Sequence, residues 1–362
     1  MQIGFNPLAN CWYLYKTTNP CTALSHGGYT RLLLKKMTLR RLFNASKVLG
    51  SYYVSKISGK AVQWGMPISV SIEPTTSCNL RCPECPSGLR SFTRNTGMLD
   101  PALFGKALDE LAPDLLNLTF YFQGEPYLHP RFLDMVREAH AKKVFTTTST
   151  NAHYLSDENA KATVLSGLDR LIISLDGTTQ ETYQSYRIGG NIEKVLEGTR
   201  NLVKWKKQLG SRTPHLVFQF LVVKPNEHEV EAVKKLAAEI GVDELLLKTA
   251  QIYNHAHGSP LIPENSIYSR YKQQADGTWK IKNTLENHCW KLWQAPVITW
   301  DGLVVPCCFD KDATHRMGDL KTTPFRELWQ GPAYQQFRSA ILRSRKEIDI
   351  CQNCSEGTKV WT

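Results

Sequence analysis

Cys78, Cys82 and Cys85 stand in the run Cys78-Asn79-Leu80-Arg81-Cys82-Pro83-Glu84-Cys85, with three residues inside the first gap and two inside the second. Thiolates at that spacing can turn inward from one short loop and hold three corners of a cubane iron–sulfur cluster. Such a cluster ordinarily takes four cysteine ligands, so a three-cysteine loop leaves one iron with an open position where chemistry can occur. A zinc knuckle, or three unrelated buried thiols, would read the same from spacing alone.

A second cysteine set lies near the C-terminus: Cys289, Cys307, Cys308, Cys351 and Cys354. The stretch 297–305 reads as a β-hairpin turning at Asp301-Gly302. Cys289 precedes it and Cys307 follows it, so the hairpin brings these two together. A helix rich in Phe325, Leu328, Trp329, Tyr334 and Phe337 comes next, and Cys351-Gln352-Asn353-Cys354 then supplies a tight metal-binding pair. Four thiolates drawn from three places make a closed site, for a cluster or for a four-cysteine zinc. Cys308 is the surplus thiol, either a replacement for Cys307 or a small buried residue, and the second reading is preferred.

The elements that must position these thiols follow from periodicity. Apolar strand segments are expected at 68–73, 117–122, 144–149, 170–175, 215–223 and 244–248, with helices near 101–111, 130–143, 157–165, 192–208 and 228–240. Six β–α repeats argue for an α/β fold with parallel strands and right-handed crossovers. Six units are too few for the closed eight-fold barrel, so a partial (β/α)6 barrel is expected, with its chemistry at the C-terminal strand ends. The cysteine loop follows the first strand, Gly124-Glu125-Pro126 the second and Asn151 the third, while Ser174-Leu175-Asp176-Gly177 closes the fourth. Alone, each is a common turn; their joint order behind the loop is what carries information.

In that order the chain resembles the radical S-adenosylmethionine superfamily over roughly residues 68–250. The resemblance implies that the open iron chelates the amino and carboxylate groups of S-adenosylmethionine, and that Glu125 binds the methionine ammonium. Ser174 and Arg187, the latter in Tyr186-Arg187-Ile188-Gly189-Gly190, would engage the carboxylate, with Asn151 another wall of the pocket. The residue before the third cysteine is usually aromatic and lies near the adenine, whereas here it is Glu84. The C-terminal set resembles a SPASM-type auxiliary-cluster domain, with Gly302 and Cys307 matching its hairpin signature. It lacks the dense cysteine run of a second auxiliary cluster. The implied cofactors are therefore a catalytic 4Fe–4S cluster on Cys78, Cys82 and Cys85, S-adenosylmethionine, and one auxiliary 4Fe–4S cluster on Cys289, Cys307, Cys351 and Cys354. The implied activity is reductive cleavage to a 5′-deoxyadenosyl radical and hydrogen abstraction from an unactivated carbon, with a flavodoxin- or ferredoxin-like electron donor. A peptide or protein side chain is the expected substrate and a sugar-like small molecule the alternative. The non-catalytic rival is a zinc-stabilised protein holding RNA or an anionic surface.

Composition sets the remaining bounds. The domains expected are a basic helical extension at 1–66, the barrel at 67–255 and the auxiliary-cluster domain at 256–362. A 42% hydrophobic fraction is ordinary for a globular chain, and no apolar run reaches a membrane span. Clustered cysteines without a secretory signal point to metal rather than disulfides, hence a reducing cytoplasm. Of the +11 net charge, nine positives fall before Glu73, the first acidic residue. The barrel is thus near neutral, and no nucleic-acid surface is expected on it. Within 30–56, Leu32, Leu39, Leu42, Phe43, Leu49 and Tyr53 recur at helical spacing among Lys and Arg. Such a helix can lie on an anionic membrane or pack its leucines on the barrel. Packing is preferred, which predicts Leu39, Leu42 and Leu49 buried. An organellar transit peptide is a weaker reading of the leader, and residues 1–36, ahead of Met37, could be dispensable.

Overall fold

The computed structural model describes residues 31–358 and 360. After one helical turn at 31–34 comes α1 (Leu39–Ser58), capped by Thr38, whose hydroxyl accepts from the Arg41 amide. The barrel then runs β1 (Ser69–Ile72), α2 (Pro86–Leu89), α3 (Pro101–Leu111), β2 (Asn117–Phe120), α4 (Phe132–Ala141), β3 (Phe145–Thr150), α5 (Asp157–Leu165) and β4 (Arg170–Ser174). It continues with α6 (Gln180–Tyr186), α7 (Ile192–Gln208), β5 (His215–Val222), α8 (Val230–Ile240) and β6 (Glu244–Thr249). Strands β1 to β6 lie side by side in sequence order and every neighbouring pair is parallel. The open (β/α)6 arrangement expected from the periodicity is therefore present. All C-terminal strand ends, with the loops that follow them, gather at one rim.

Local sequence explains the elements. In α3, Asp100 accepts from the Ala102 amide and Pro101 opens the first turn. Phe104, Ala107, Leu108 and Leu111 then form the buried stripe at i, i+3, i+4 and i+7. In α7, Ile192, Val195, Leu196, Thr199 and Leu202 do the same beneath an Asn191 cap. Strand β3 is unusual in being buried along its whole length although five of its six residues are Thr or Ser. Its hydroxyls are paired: Thr148 donates to the Phe120 carbonyl at 2.7 Å and Thr147 to Asn117 Oδ1 at 3.2 Å.

The C-terminal part comprises β7 (Tyr271–Gln273), β8 (Trp279–Ile281), α9 (Trp290–Gln294), β9 (Val297–Ile298), β10 (Leu303–Val305), β11 (Gly318–Asp319), α10 (Phe325–Gln330), α11 (Pro332–Ser344) and α12 (Asp349–Gln352). The predicted hairpin is β9–β10. Strand β9 pairs in parallel with β1, so the hairpin and β11 extend the barrel sheet to nine strands instead of forming a sheet of their own. A buried ion pair fastens this junction: Arg94 donates to both Glu73 carboxylate oxygens, at 2.8 and 2.6 Å, and Glu73 also accepts from the Trp300 amide at 3.2 Å.

One expectation fails. Leu39 and Leu42 are exposed and Leu49 only partly buried, whereas the face of α1 packed on the protein is Arg41, Asn44, Val48, Ser51, Tyr52 and Ser55. The reason is hydrogen bonding. Arg41 donates to the carbonyls of Lys36, Ala112, Lys142 and Lys143, and Asn44 both donates to the Met66 carbonyl and accepts from the Met66 amide. Unpaired loop-end carbonyls in a packed interface carry a desolvation penalty, so a helix that satisfies them can dock through its polar side.

Candidate active site and metal centres

The three-cysteine loop leaves β1 at its C-terminal end. It is held by the Arg81 amide donating to the Ile188 carbonyl at 2.9 Å and by α2, which starts at Pro86, directly after Cys85. Cys78, Cys82 and Cys85 are free thiols, partly or wholly buried. Burial pushes the Cys78 thiol up to about 12 and the Cys82 thiol in the same direction. These are protonated thiols that must lose protons when metal binds.

Glu125 sits beside the loop on the turn after β2. Gly124 adopts φ +74°, and a Cβ there would meet the Thr75 carbonyl oxygen at 2.2 Å, so only glycine lets the turn pass so close to the strand-one loop. The Glu125 amide donates to the Ser77 carbonyl at 2.8 Å, and Pro126 opens a short 3-10 turn. The carboxylate accepts from the Thr150 hydroxyl at 2.7 Å, the Asn151 amide at 2.7 Å and the Tyr127 amide at 3.3 Å. Burial outweighs these bonds and pushes Glu125 up to about 7. Asn151 reaches the cysteine loop directly, donating to Asn79 Oδ1 at 2.7 Å. Ser174 ends β4, buried at the same rim. Arg187 closes the far side: it pairs with Asp176 and places Nη1 3.7 Å from Cys82 Sγ.

The six expected cofactor-pocket residues thus lie on turns following β2, β3 and β4 around the loop. Sequence reasoning did not assign Asp176, although the Ser-Leu-Asp-Gly run contains it, nor Asn79 inside the cysteine run. It also missed the polar residues over the mouth. Tyr121 is 37% exposed yet lies within electrostatic reach of Cys78, Cys85, Arg187 and Cys308, so it lines an enclosed space between the two cysteine sets. Lys311 donates to the Tyr253 hydroxyl at 2.5 Å and lies 4.9 Å from its ring centroid. Glu84, where an aromatic was the usual residue, accepts from the Tyr253 amide at 2.9 Å and so pins the loop to the segment after β6.

At the other end of the molecule one pocket is walled by Cys289, Cys307, Cys351 and Cys354, with Phe337, Ile341 and Arg345. Cys308 is not in this wall. It packs with Phe122, Val305 and Ala313 and faces Tyr121 and Lys311. Burial, then the neighbouring thiols, push Cys307 up, and burial takes Cys351 to about 12 and Cys354 to about 11. Gly357, at φ +79°, brings its backbone against Cys289, where a Cβ would lie 2.3 Å from Sγ. Arg345, fully buried, donates to Cys354 Sγ at 3.3 Å and to the His288 and Glu356 carbonyls. Among the described residues no three His, Cys, Asp or Glu close on a point as around a single ion. The four thiols instead surround a volume, which suits a cluster better than zinc.

Residues 72–241 match the radical SAM superfamily and residues 289–355 match the SPASM iron–sulfur cluster-binding domain. The first span holds the cysteine loop and all six pocket residues, and the second begins at Cys289 and takes in the four pocket thiols. The chain belongs to the radical SAM superfamily and carries a SPASM domain, which makes it a radical SAM enzyme using 4Fe–4S clusters and S-adenosylmethionine. It is 28% identical over 318 residues to the tungsten-containing aldehyde ferredoxin oxidoreductase cofactor-modifying protein of Pyrococcus furiosus, covering 78% of this chain and 86% of that protein. It is 26% identical to a PqqA peptide cyclase of Ruegeria pomeroyi, covering 75% and 76%. Among solved structures, Streptococcus suis SuiB bound to S-adenosylmethionine superposes with a TM-score of 0.60 at 13% identity, covering 88% of this chain and 78% of that one. The enzyme anSMEcpe with bound AdoMet also gives 0.60, at 17% identity, covering 81% and 92%. These two share the fold.

Proposed function

We propose that this chain is a maturase-type radical SAM oxidoreductase that modifies a side chain of a peptide or protein. The observation that carries this reading is the facing of two thiol groups, one open and one closed, across a mouth lined by Tyr121, Lys311 and Tyr253. The naming of the Ruegeria pomeroyi relative as a peptide cyclase favours a peptide over a sugar-like substrate.

In this reading Cys78, Cys82 and Cys85 hold the catalytic cluster, and Cys289, Cys307, Cys351 and Cys354 hold one auxiliary 4Fe–4S cluster. Cys308 is left over, and the sequence supplies no further cysteine beyond 289 for a second auxiliary cluster. The chemistry supplied at the open iron is one-electron cleavage of S-adenosylmethionine to methionine and a 5′-deoxyadenosyl radical, which takes a hydrogen atom from an unactivated carbon. Glu125 accepts from the methionine ammonium, and Ser174, Arg187 and Asn151 border the carboxylate. Asp176 orients Arg187, and Tyr121 and Tyr253 narrow the mouth and exclude water. A flavodoxin- or ferredoxin-like protein delivers the electron.

Anaerobic reconstitution should load about eight irons per chain, as two four-iron units. Four irons with stoichiometric zinc would refute the auxiliary cluster. Incubation with deuterated candidate peptides should move deuterium into 5′-deoxyadenosine; transfer only from sugar-like alcohols would replace the peptide reading.

Arg345 gives an independent check. A guanidinium hydrogen-bonded to a cluster thiolate stabilises the more negative, reduced state. Arg345→Gln should therefore lower the midpoint potential of the auxiliary cluster in an EPR-monitored redox titration and leave the catalytic cluster where it was. Equal potentials in variant and wild type would mean that Arg345 only braces the fold.

A further inference from the structure

The α1 helix is amphipathic the wrong way round for a helix that merely completes a core. Its inner face is polar, as described above. Its outer face carries Leu39, 87% exposed, with Leu42, Phe43, Tyr53, Val54 and Ile57, the last 85% exposed. Gly50 lies on the same face, and the half-exposed ring of Trp64 covers it: a Cβ at Gly50 would be 3.2 Å from the indole. At 3.6 residues per turn these positions share an arc of roughly 120°, and from Leu39 to Ile57 the stripe runs about 27 Å.

Charge is arranged around it. Arg40 and Lys47 flank one margin and Lys56 the other, Lys47 lying 4.5 Å from the Phe43 ring centroid. Arg40 is already paired with Asp114 at 2.8 Å, but Lys47, Lys56 and Lys60 belong to a stretch of 72 residues without an acid. Burying the stripe in a protein core would strand these lysines, and RNA would use the lysines but leave the aliphatic stripe wet. An anionic bilayer surface accommodates both: the acyl boundary takes the leucine, phenylalanine and isoleucine, Trp64 and Tyr53 sit at the headgroup level, and the lysines meet phosphate. Among the described residues no helix is long and apolar enough to cross a membrane, so contact is in the plane of the surface.

We propose that α1 is a membrane-surface docking helix, lying with its Leu39–Ile57 stripe in the headgroup region of an anionic bilayer while its polar face stays bound to the barrel.

The test is co-sedimentation of the full chain with phosphatidylcholine vesicles, with and without phosphatidylglycerol. Wild type should pellet with the anionic vesicles at low salt, stay in solution with the neutral ones, and come off as salt rises. Leu42→Ser/Phe43→Ser/Ile57→Ser should abolish pelleting without changing the melting temperature or the basal cleavage of S-adenosylmethionine. Lys47→Glu/Lys56→Glu should weaken binding roughly thirtyfold or more, since each lysine near an anionic surface is worth about tenfold or less and two are reversed. Wild type that never pellets overturns the proposal, as does a serine variant that pellets normally. A serine variant with a lowered melting temperature would show that residues 1–30 or another part of this chain cover the stripe. Wild-type dimers dissociated by the serine changes, without vesicle binding, would make it a subunit interface. Retention on RNA equal to that on anionic vesicles would reassign it to nucleic acid.

Discussion

Replacing Cys78, Cys82 and Cys85 together with Ala is expected to abolish reductive cleavage of S-adenosylmethionine, lowering it to the level of protein without iron. The same change at Cys351 and Cys354 should leave measurable cleavage in the absence of substrate but no modified product. The asymmetry follows from the ligand count. Three thiolates leave an iron open to the methionine amino and carboxylate groups, whereas four close the site. The two sets are also physically separate: the first surrounds the turns after β1 and β2, and the second lies beyond the hairpin, between α9, α11 and α12. Chromatographic quantification of 5′-deoxyadenosine with dithionite as reductant checks both variants. Cleavage at the wild-type rate in the first would remove the loop from the catalytic role.

Glu125→Ala should weaken binding of S-adenosylmethionine by about ten- to a hundredfold with the iron content unchanged, because a charge-assisted hydrogen bond in a partly dry pocket is worth roughly 1.5–3 kcal/mol. Calorimetric titration measures it, and equal affinities would reduce Gly124-Glu125-Pro126 to a turn. The pH dependence gives a second handle. Burial pushes Glu125 up to about 7 in the ligand-free protein. An ammonium partner needs the carboxylate, so binding below that pH must expel a proton, and affinity should rise by up to tenfold per pH unit until about 7 and then flatten. Stability of the ligand-free protein has the opposite slope. The unfolded carboxyl ionises near the ordinary value of 4.5 while the folded one still holds its proton. Between that pH and about 7 the native state therefore binds more protons, and stability falls by on the order of 3 kcal/mol as pH rises through the window. Glu125→Gln should remove this part of the pH dependence from melting curves. A Gln variant with the wild-type slope would place the titration elsewhere.

Much of the site was legible because its signals are local. The spacing of Cys78, Cys82 and Cys85 is a property of one loop, and the period-two and period-3.6 patterns of 68–250 depend on which face of each element is buried. Parallel strands joined by right-handed crossovers then bring the turns after β1, β2, β3 and β4 to one rim without any long-range information. Glu125, Asn151, Ser174 and Arg187 could be located on that basis. Their hydrogen-bond partners could not. That Asp176 holds Arg187, and that Asn79 receives the Asn151 amide, depends on side-chain directions across separate turns.

Two features were decided only by tertiary structure. Adjacent residues in extended chain point to opposite sides, so Cys307 and Cys308 must diverge. Yet only the pairing of β9 with β1 and β10 fixes which one faces Cys289, Cys351 and Cys354. The α1 helix is the other case. Sequence determined that it has an apolar stripe edged with lysines, because periodicity is written in the chain. Which side meets the protein was settled by the carbonyls of Lys36, Met66, Ala112, Lys142 and Lys143, which needed donors that Arg41 and Asn44 supply. A hydrophobic pattern says that one face of a helix wants to leave water. It does not say whether the surface waiting for that face belongs to the same molecule.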